Sequence, residues 1–257
     1  MASVKERRGS PYCFGAWDFT LAIYLLLVHC LVTAGPTYEP LDEVRRLTNF
    51  STGQLGTELA AFLTTSGHRV TLLIGEHATY RGARLAEAIE TFSTTADLKT
   101  RLMAHAAQGA AAAVFHAAAV SDFSFGKVWQ RSAGGQLTEL RAGKISTREG
   151  TLLAELVPTP KIISELRQLF PKALLVGWKF EIDGDRTGTL ELAKRQLAEC
   201  RTDACIANGP AYGEGFAVVR KNGALVHVAD KLELFKELER LMAAQSQTAS
   251  TPTHQNS

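Results

Sequence analysis

The sequence has few of the features that mark specialised classes of protein. Its 257 residues hold four cysteines, which show neither a C-x-x-C spacing nor a Cys/His ligand pattern. We therefore expect free thiols in a reducing cytoplasm and no metal site built from side chains. A formal net charge of +2 gives no reason to expect nucleic acid as a partner. A Walker A P-loop, a G-x-G-x-x-G turn and internal repeats are also missing.

The apolar N-terminal run resembles a targeting signal. Basic residues precede an uncharged run from Phe19 to Gly35, a pattern typical of a signal peptide or membrane anchor. The run is marginal for a membrane span, and cleavage after Ala34 would remove the first strand. We therefore expect an irregular extension at residues 1–28, which a wrongly chosen start codon would also explain, and no membrane partner.

Strand-like and helix-like patterns alternate through most of the chain. We expect strands near residues 30–33, 69–74, 89–92, 112–117, 152–156, 173–180 and 204–207, and helices near 54–66, 97–108 and 231–243. Two further helices should start at Thr159-Pro160 and at Thr187 or Thr189. This order predicts an α/β fold, Rossmann-like and doubly wound, with a mainly parallel sheet.

Turn signals complete this outline. Asp97 is a candidate helix cap. Residues 123–149 are polar and predict a flap or extended hairpin. Lys221-Asn222-Gly223 is typical of the type I′ turn of a C-terminal β-hairpin. We place a single domain at residues 29–244 and a Ser/Thr/Gln-rich, disordered tail at 245–257.

The most informative segment is residues 31–56. A buried strand ends at Gly35, and a polar loop then leads to Asn49 and to Ser51-Thr52-Gly53, where a helix begins. Free backbone N–H groups and the helix dipole favour a phosphate there. About eighteen residues separate the two glycines, where a dinucleotide-binding turn needs only a few. The length suggests a pocket for something other than NAD.

Other small or polar groups follow the later strands, at the sheet edge where ligands bind. Ala117–Ala119 would admit a flat ring or sugar, and Asp122 adds a carboxylate. Lys144 places a cation on the flap, and Trp178-Lys179 adds an aromatic face and a second cation. Each signal has an ordinary explanation: Ser51-Thr52 as a cap, Asp122 as a turn residue, Lys144 as a solvated lysine. Their common location strengthens them, whereas His116 inside a strand fits a core residue.

Seven motifs in order resemble one known family, the phosphopantothenate–cysteine ligases of coenzyme A biosynthesis, over about residues 29–243. The motifs are LVTAGPTYEPLDE at residues 31–43, NFSTG at 49–53, AAAVSD at 117–122, GKI at 143–145, ELVPTP at 155–160, VGWKFE at 176–181 and IAN at 206–208.

The resemblance implies an amide-forming ligase. In that family the carboxylate of 4′-phosphopantothenate attacks the α-phosphate of a nucleoside triphosphate, and pyrophosphate leaves with the help of Mg²⁺. The amine of cysteine then displaces the nucleotide from the acyl-nucleotide. The family also implies a homodimer. Mg²⁺ would be held mainly by the nucleotide phosphates, with no metal ligand from the chain.

The resemblance also implies roles for individual residues. Asn49 matches the asparagine that handles the acyl-nucleotide, and Lys144 matches the flap lysine that contacts the activated intermediate; these are the expected catalytic residues. Trp178 replaces the usual phenylalanine. The expected nucleotide-binding residues are Gly35, Ser51, Thr52, Gly53, Ala118, Ala119, Asp122, Trp178, Lys179, Lys194 and Asn208.

Different motifs of the chain point to different nucleotide substrates. The flap departs from the K-I-K-K that is common in bacterial members. The Gly177–Glu181 stretch and residues 49–51 and 118–123 look more like eukaryotic members, which generally use ATP. Residues 31–42 and 155–160 look like bacterial members, which generally use CTP. The balance favours CTP, with ATP as the alternative. Many bacterial chains fuse this ligase to a flavin-dependent decarboxylase. The residues before the first strand are too few for another domain, so we expect no FMN.

Two other hypotheses about the function remain open. Gly53-x-x-Gly56 followed by the 69–74 strand imitates an NAD(P)-dependent Rossmann oxidoreductase, but the G-x-G turn is missing and that strand ends in Gly75-Glu76. The altered flap also suits a degenerate nucleotide-binding relative without activity. Retention of Asn49, Asp122 and Lys144 argues against that second reading.

Overall fold

A computed structural model of the protein describes residues 27–140, 145 and 150–249, with side chains as far as residue 245. The strands are β1 His29–Ala34, β2 Tyr38–Pro40, β3 Arg46–Thr48, β4 Arg69–Gly75, β5 Ala88–Phe92, β6 Ala111–His116, β7 Phe123–Arg131, β8 Leu137–Leu140, β9 Thr151–Pro158, β10 Leu174–Phe180, β11 Ala204–Asn208, β12 Phe216–Arg220 and β13 Leu225–Val228. The helices are α1 Gln54–Thr65, α2 Thr95–Gln108, α3 Ile162–Leu169, α4 Arg186–Cys200 and α5 Lys231–Ala249.

Eight strands form the central sheet, in the order β13-β12-β11-β10-β6-β1-β4-β5. The six strands from β11 to β5 run parallel, and β12 and β13 are antiparallel. The predicted doubly wound, mainly parallel sheet with its C-terminal hairpin is confirmed. The strand order reverses between β1 and β6, and in such sheets ligands bind in the crevice at that point.

Helices cover both faces of the sheet. Residues of β1 alternate between the two cores: Val32 belongs to the cluster shared with α1 and α5, and Leu31 to the cluster shared with α2 and α3. A strand covered on both faces needs a nearly continuous apolar run, and residues 30–34 show one that only Thr33 interrupts. Cys30, Cys200 and Cys205 are buried free thiols, while Cys13 lies outside the described residues.

Two helix starts differ from the prediction. Helix α2 is capped by Thr94, whose side chain accepts the N–H of Asp97, while Asp97 Oδ2 accepts the N–H of Ser93 at 2.9 Å. Thr94 is therefore the cap, and Asp97 instead binds the N–H of Ser93, the residue that precedes Thr94. Helix α4 begins after Asp185, whose Oδ1 accepts the N–H of Gly188 at 2.7 Å, and not at Thr187 or Thr189.

The Thr159-Pro160 prediction is also wrong. Helix α3 begins at Ile162 after Lys161, with no side-chain cap. The hydroxyl of Thr159 instead donates to the backbone carbonyl of Ser121, which ties the loop before α3 to the chain that follows β6. The hydroxyl of Thr159, which the local pattern predicted as a helix cap, therefore bonds to a residue far away in sequence.

The C-terminal hairpin turns differently from the type I′ prediction. That turn requires a positive φ at both central residues, but of Lys221, Asn222 and Gly223 only the glycine has one, at 85°. The N–H of Gly223 donates to the carbonyl of Arg220 at 2.9 Å, and the N–H of Arg220 to the carbonyl of Ala224 at 2.9 Å. This is the pattern of a type I turn followed by a left-handed glycine.

Two small sheets lie outside the central one. The loop between β1 and α1 contains the antiparallel hairpin β2–β3, where we expected only a polar loop. Strand β9 pairs antiparallel with β7, and β7 with β8, in a three-stranded sheet that extends the predicted flap.

Helix α5 continues to Ala249, so the first residues of the expected tail at 245–257 are helical. In the described part of the chain, no helix combines the length and apolarity needed to span a membrane.

The start of α1 packs tightly against β1 at Gly56, which gives a stability prediction. A Cβ on Gly56 would lie 2.7 Å from the Cβ of Ala34 and 3.1 Å from the carbonyl oxygen of Thr33. We expect Gly56→Ala to lower the free energy of unfolding by about 1–3 kcal/mol through overpacking, measured by urea denaturation. Gly188→Ala, at the equivalent third position of α4, should be neutral or stabilising by roughly 0.5–1 kcal/mol. Equal effects at both sites would contradict the packing argument.

Candidate functional site

A cavity of about 310 Å³ opens at the carboxyl edge of the sheet, beside the crevice between β1 and β6. It lies between the start of α1, the residues after β6 and the ends of β10 and β11. Its lining residues are Ser51, Thr52, Gly53, Gln54, Leu55, Gly56, Ala117, Ala118, Ala119, Trp178, Phe180 and Asn208. Seven of the eleven predicted nucleotide-binding residues are therefore brought together: Ser51, Thr52, Gly53, Ala118, Ala119, Trp178 and Asn208.

The two predicted glycines meet at the base of this cavity. Gly35 and Gly53 have positive φ angles of 79° and 78°. A Cβ on Gly53 would lie 3.2 Å from the Cα of Gly35 and 3.0 Å from the Cβ of Ala78. The long loop between β1 and α1 thus begins and ends at nearly the same point, and α1 starts directly beyond the end of β1.

The start of α1 presents backbone donors to the cavity. Its N-cap is Gly53, which has no side chain to accept an N–H, and the first turn carries no acidic residue. Thr52 Oγ1 accepts the N–H of Gln54 at 3.2 Å. The hydroxyl of Thr52 therefore acts as a cap for one N–H group at the start of α1. The N–H groups of Leu55 and Gly56 belong to the first turn, which has no acceptor inside the helix. Such a helix start favours an anion.

The segment after β6 forms the wall of small residues. The N–H of Ala119 donates to the carbonyl of Gly35 at 2.9 Å, and the N–H of Ala117 to the carbonyl of Thr33 at 3.1 Å. These bonds extend the pairing of β1 and β6 beyond the sheet. The methyl side chains of Ala117, Ala118 and Ala119 leave space that larger side chains would fill.

Asn49 is not among the lining residues, but it lies next to this wall, at the rim of the cavity. Its Nδ2 donates to the backbone carbonyls of Ala119 and Val120, each at 3.2 Å. The side-chain amide is therefore held in one orientation, with the nitrogen on the wall. The residue itself is exposed to solvent. Lys144, the other expected catalytic residue, lies outside the described residues.

Two predicted cations are not brought to the cavity. Lys179 stands between Trp178 and Phe180 in β10, and alternate side chains of a strand point to opposite faces. Since its two neighbours line the cavity, Lys179 points away, and its Nζ pairs with Glu181 at 2.8 Å. Lys194 is on α4, where it pairs with Glu191 at 2.7 Å. Neither is among the lining residues.

Asp122 is also outside the lining. Asp122 is exposed to solvent, and its backbone carbonyl accepts the N–H of Thr159 at 2.9 Å. Sequence reasoning had missed Gln54 and Phe180, which do line the cavity. Phe180 follows Trp178 by two positions in one strand, so strand alternation would have found it.

Two buried polar atoms of lining residues lack a hydrogen-bond partner within the described chain. They are Nε1 of Trp178 and Oδ1 of Asn208, which belong to the neighbouring strands β10 and β11. One is a donor and the other an acceptor. Since buried polar groups are nearly always paired, these two atoms are candidates for pairing with a ligand that carries an acceptor and a donor.

His116, at the end of β6, is a buried core residue as expected. Its Nδ1 lies 2.9 Å from Thr33 Oγ1, which also accepts the N–H of Ala118 at 3.2 Å. Burial lowers the pKa of His116 to about 4, so the imidazole is neutral at physiological pH. The neutral ring links β1 to the wall of the cavity.

Comparisons with known proteins show what the chain is similar to. The family described as "DNA/pantothenate metabolism flavoprotein C-terminal domain" matches residues 26–249. The Bacillus subtilis coenzyme A biosynthesis bifunctional protein CoaBC is 33% identical over 190 residues, which cover 73% of this chain and 42% of that protein. The chain thus spans less than half the length of this curated relative.

Solved structures share the fold. A DNA/pantothenate metabolism flavoprotein from Streptococcus pneumoniae superposes with a TM-score of 0.74 at 26% identity, covering 84% of this chain and 99% of that one. A Cab2 mutant in complex with phosphopantothenate-cysteine has a TM-score of 0.65 at 18% identity, covering 87% of this chain and 89% of that chain. At that identity, the second likeness concerns the fold alone.

The buried neutral His116 predicts a pH dependence of stability. Between its unfolded pKa of 6.5 and its folded pKa of about 4, the unfolded chain binds a proton that the folded chain does not. The free energy of unfolding should therefore fall as the pH is lowered through this window, by up to about 3 kcal/mol. Urea denaturation from pH 7 to 4 measures the slope, and His116→Gln should flatten it. The half-buried His77→Gln is the control, and equal slopes in both variants would contradict the assignment.

Proposed function

The chain belongs to the DNA/pantothenate metabolism flavoprotein C-terminal domain family, and we propose that it is a phosphopantothenate–cysteine ligase. It would join 4′-phosphopantothenate to L-cysteine through an acyl-nucleotide, giving 4′-phosphopantothenoylcysteine. One observation supports this most: the N-terminus of α1 and a wall of alanines line one cavity at the point where the strand order reverses, and the amide of Asn49 is bonded to that wall.

The first step would activate the carboxylate. A carboxylate oxygen of 4′-phosphopantothenate bonds to the α-phosphorus of the nucleotide, and the bond from that phosphorus to pyrophosphate breaks. Negative charge at the α-phosphate is stabilised by the N–H groups at the start of α1, with Lys144 as the expected cation. Mg²⁺ bound with the nucleotide would neutralise the leaving pyrophosphate. Among the described residues no cluster of three His, Cys, Asp or Glu side chains offers a metal site, so phosphate oxygens would hold the ion.

The second step would form the amide. The amine of cysteine attacks the acyl carbon, the bond from that carbon to the phosphate oxygen breaks, and the amine loses a proton. The nucleoside monophosphate leaves. Asn49 is suited to orient the acyl group, because two carbonyls of the wall hold its amide at the cavity rim. Most of the rate enhancement in such a reaction comes from positioning and charge stabilisation.

The size and polarity of the cavity suit a nucleotide. Small-molecule sites are clefts of roughly 300–1,000 Å³, mostly apolar with a few placed polar groups. Trp178 and Phe180 offer aromatic surface, and the orphaned atoms of Trp178 and Asn208 offer a donor and an acceptor. Cytosine and adenine each carry a neighbouring ring acceptor and amino donor, so this pair suits both. On the resemblance we propose CTP, with ATP as the alternative.

We also propose that residues 29–244 form the ligase unit, that it acts in the cytoplasm and that it is a homodimer. Support for the dimer comes from the sheet β8-β7-β9, which exposes the apolar side chains of Leu137, Leu153, Leu156 and Val157. Apolar surface of this kind marks contact sites, and we assign a second copy of this chain as its occupant. Light scattering of the purified chain tests this, and a monomer mass at micromolar concentration would overturn it.

The activity is tested by substrate dependence. Pyrophosphate release should require both 4′-phosphopantothenate and a nucleoside triphosphate, and amide product should form only when cysteine is added. Running CTP and ATP in parallel, with Mg²⁺ present, ranks the two nucleotides. Absence of release with either nucleotide would refute the ligase proposal, and formation of the amide product without a nucleotide would refute the acyl-nucleotide route.

Asn49 should matter for the second step. Asn49→Ala should release pyrophosphate and accumulate the acyl-nucleotide, with amide formation slowed by about 10²–10³-fold, because the group that orients the acyl carbonyl is gone. Rapid quench followed by chromatography measures both species. Thr48→Ser, one residue earlier in β3, is the control, and an Asn49→Ala variant with normal turnover would remove the assigned role.

A further inference from the structure

Two side chains at the tip of the β2–β3 hairpin form hydrogen bonds with the backbone of Ile145, a residue far away in sequence. The backbone N–H of Ile145 donates to Asp42 Oδ2 at 3.1 Å. Its carbonyl oxygen accepts from both terminal nitrogens of Arg45, at 3.2 and 3.3 Å. Ile145 is 4% exposed, so these bonds are shielded from water. Both backbone polar groups of Ile145 are thus satisfied by two side chains of the hairpin tip.

Asp42 is held rigidly for this contact. Its Oδ1 accepts the backbone N–H groups of Val44 and Arg45, at 2.9 and 2.7 Å, and its Oδ2 accepts from the Arg45 guanidinium at 2.8 Å. The side chain of Asp42 is completely shielded from solvent. Burial alone would raise the pKa of Asp42, but hydrogen bonds from the backbone N–H groups of Val44, Ile145 and Arg45, and the charge of Arg45, outweigh it. The net effect lowers the pKa, so the carboxylate is ionised at neutral pH.

The local turn does not explain the whole arrangement. An Asx turn needs only Oδ1, which already accepts the two N–H groups of the hairpin tip. Oδ2 and the guanidinium are directed at a residue 103 and 100 positions away, respectively. Bonds to both the N–H and the carbonyl fix the orientation of a peptide segment as well as its position. The pair therefore clamps the chain at Ile145.

The clamp has a consequence for the reaction because Ile145 follows Lys144 directly. We propose that Asp42 and Arg45 are positioning residues of the ligase: by clamping Ile145 they fix the backbone next to Lys144. This rests on the proposed function, in which Lys144 contacts the activated intermediate. A reacting group must be held to within a fraction of an ångström, and a misplacement of about 1 Å can cost roughly 10²-fold in rate. The clamp also gives a role to the Asp of the LVTAGPTYEPLD motif.

The clamp itself is tested without any activity measurement. Asp42→Asn keeps Oδ1 for the turn but replaces Oδ2 by an NH₂ group, which cannot accept from Ile145 or Arg45. Arg45→Lys keeps the charge and loses the two-nitrogen contact. Hydrogen exchange of the peptide containing Ile145 should be about 10-fold faster in both variants, as expected for about 1.4 kcal/mol of lost protection. Glu43→Gln and Arg46→Lys, the neighbouring residues, are matched controls. Unchanged exchange in both test variants would overturn the clamp.

The positioning role is tested by a double-mutant cycle with Lys144→Ala. Asp42→Asn should lower kcat for pyrophosphate release by about 10–100-fold, with a smaller change in KM for the nucleotide. In the Lys144→Ala background it should lower kcat by less than about 2-fold, because the group that it positions is gone. Additive losses, or a normal kcat despite faster exchange, would overturn the positioning role. A wild-type chain without ligase activity would refute the proposed function instead, and the exchange result would still decide the clamp.

Discussion

The contact of Gly35 with Gly53 at the end of β1 is the constraint on which the rest of the site depends. Both backbones are left-handed, and a Cβ on either glycine would approach the Cβ of Ala78 to 3.0 Å or less. Because the two ends of the long loop meet there, α1 starts directly beyond β1, as it would after a short turn. The N-terminus of α1 therefore faces the cavity whatever the length of the chain between the glycines.

The structure shows how the residues of that loop are used. From the interval alone we inferred a pocket for something other than NAD, and we expected only a polar loop. The extra residues form the β2–β3 hairpin. After β3, Asn49 is bonded to the wall of alanines. At the hairpin tip, Asp42 and Arg45 hold Ile145. The length of the loop therefore serves to position these side chains.

Sequence reasoning succeeded where the deciding interactions are local. The buried strands and the helix α1 follow from apolar runs and helical periodicity, because a strand covered on both faces is mostly apolar. It failed where two nearby side chains compete for one cap, as with Thr94 and Asp97. It also failed where a distant carbonyl takes a hydroxyl, as with Thr159 and Ser121. Only the three-dimensional arrangement decides such competitions.

The site residues also divide into those that local patterns predict and those that depend on distant contacts. Lys179 was grouped with Trp178 because they are adjacent in sequence, although adjacent strand residues point to opposite faces. That error could have been avoided from the sequence. By contrast, no local pattern pairs Asp42 with Ile145, which lies 103 positions further along the chain.

The backbone of Ala119 explains how these distant parts are kept in register. Its N–H binds the carbonyl of Gly35, and its carbonyl accepts both the N–H of Thr37 and the side-chain amide of Asn49. Thr33, two residues before Gly35, binds His116 and the N–H of Ala118 through one oxygen. The helix start, the alanine wall and the Asn49 amide are therefore all tied to the end of β1. A shift of that strand end would move the anion-binding donors and the orienting amide together, which keeps the geometry between them constant.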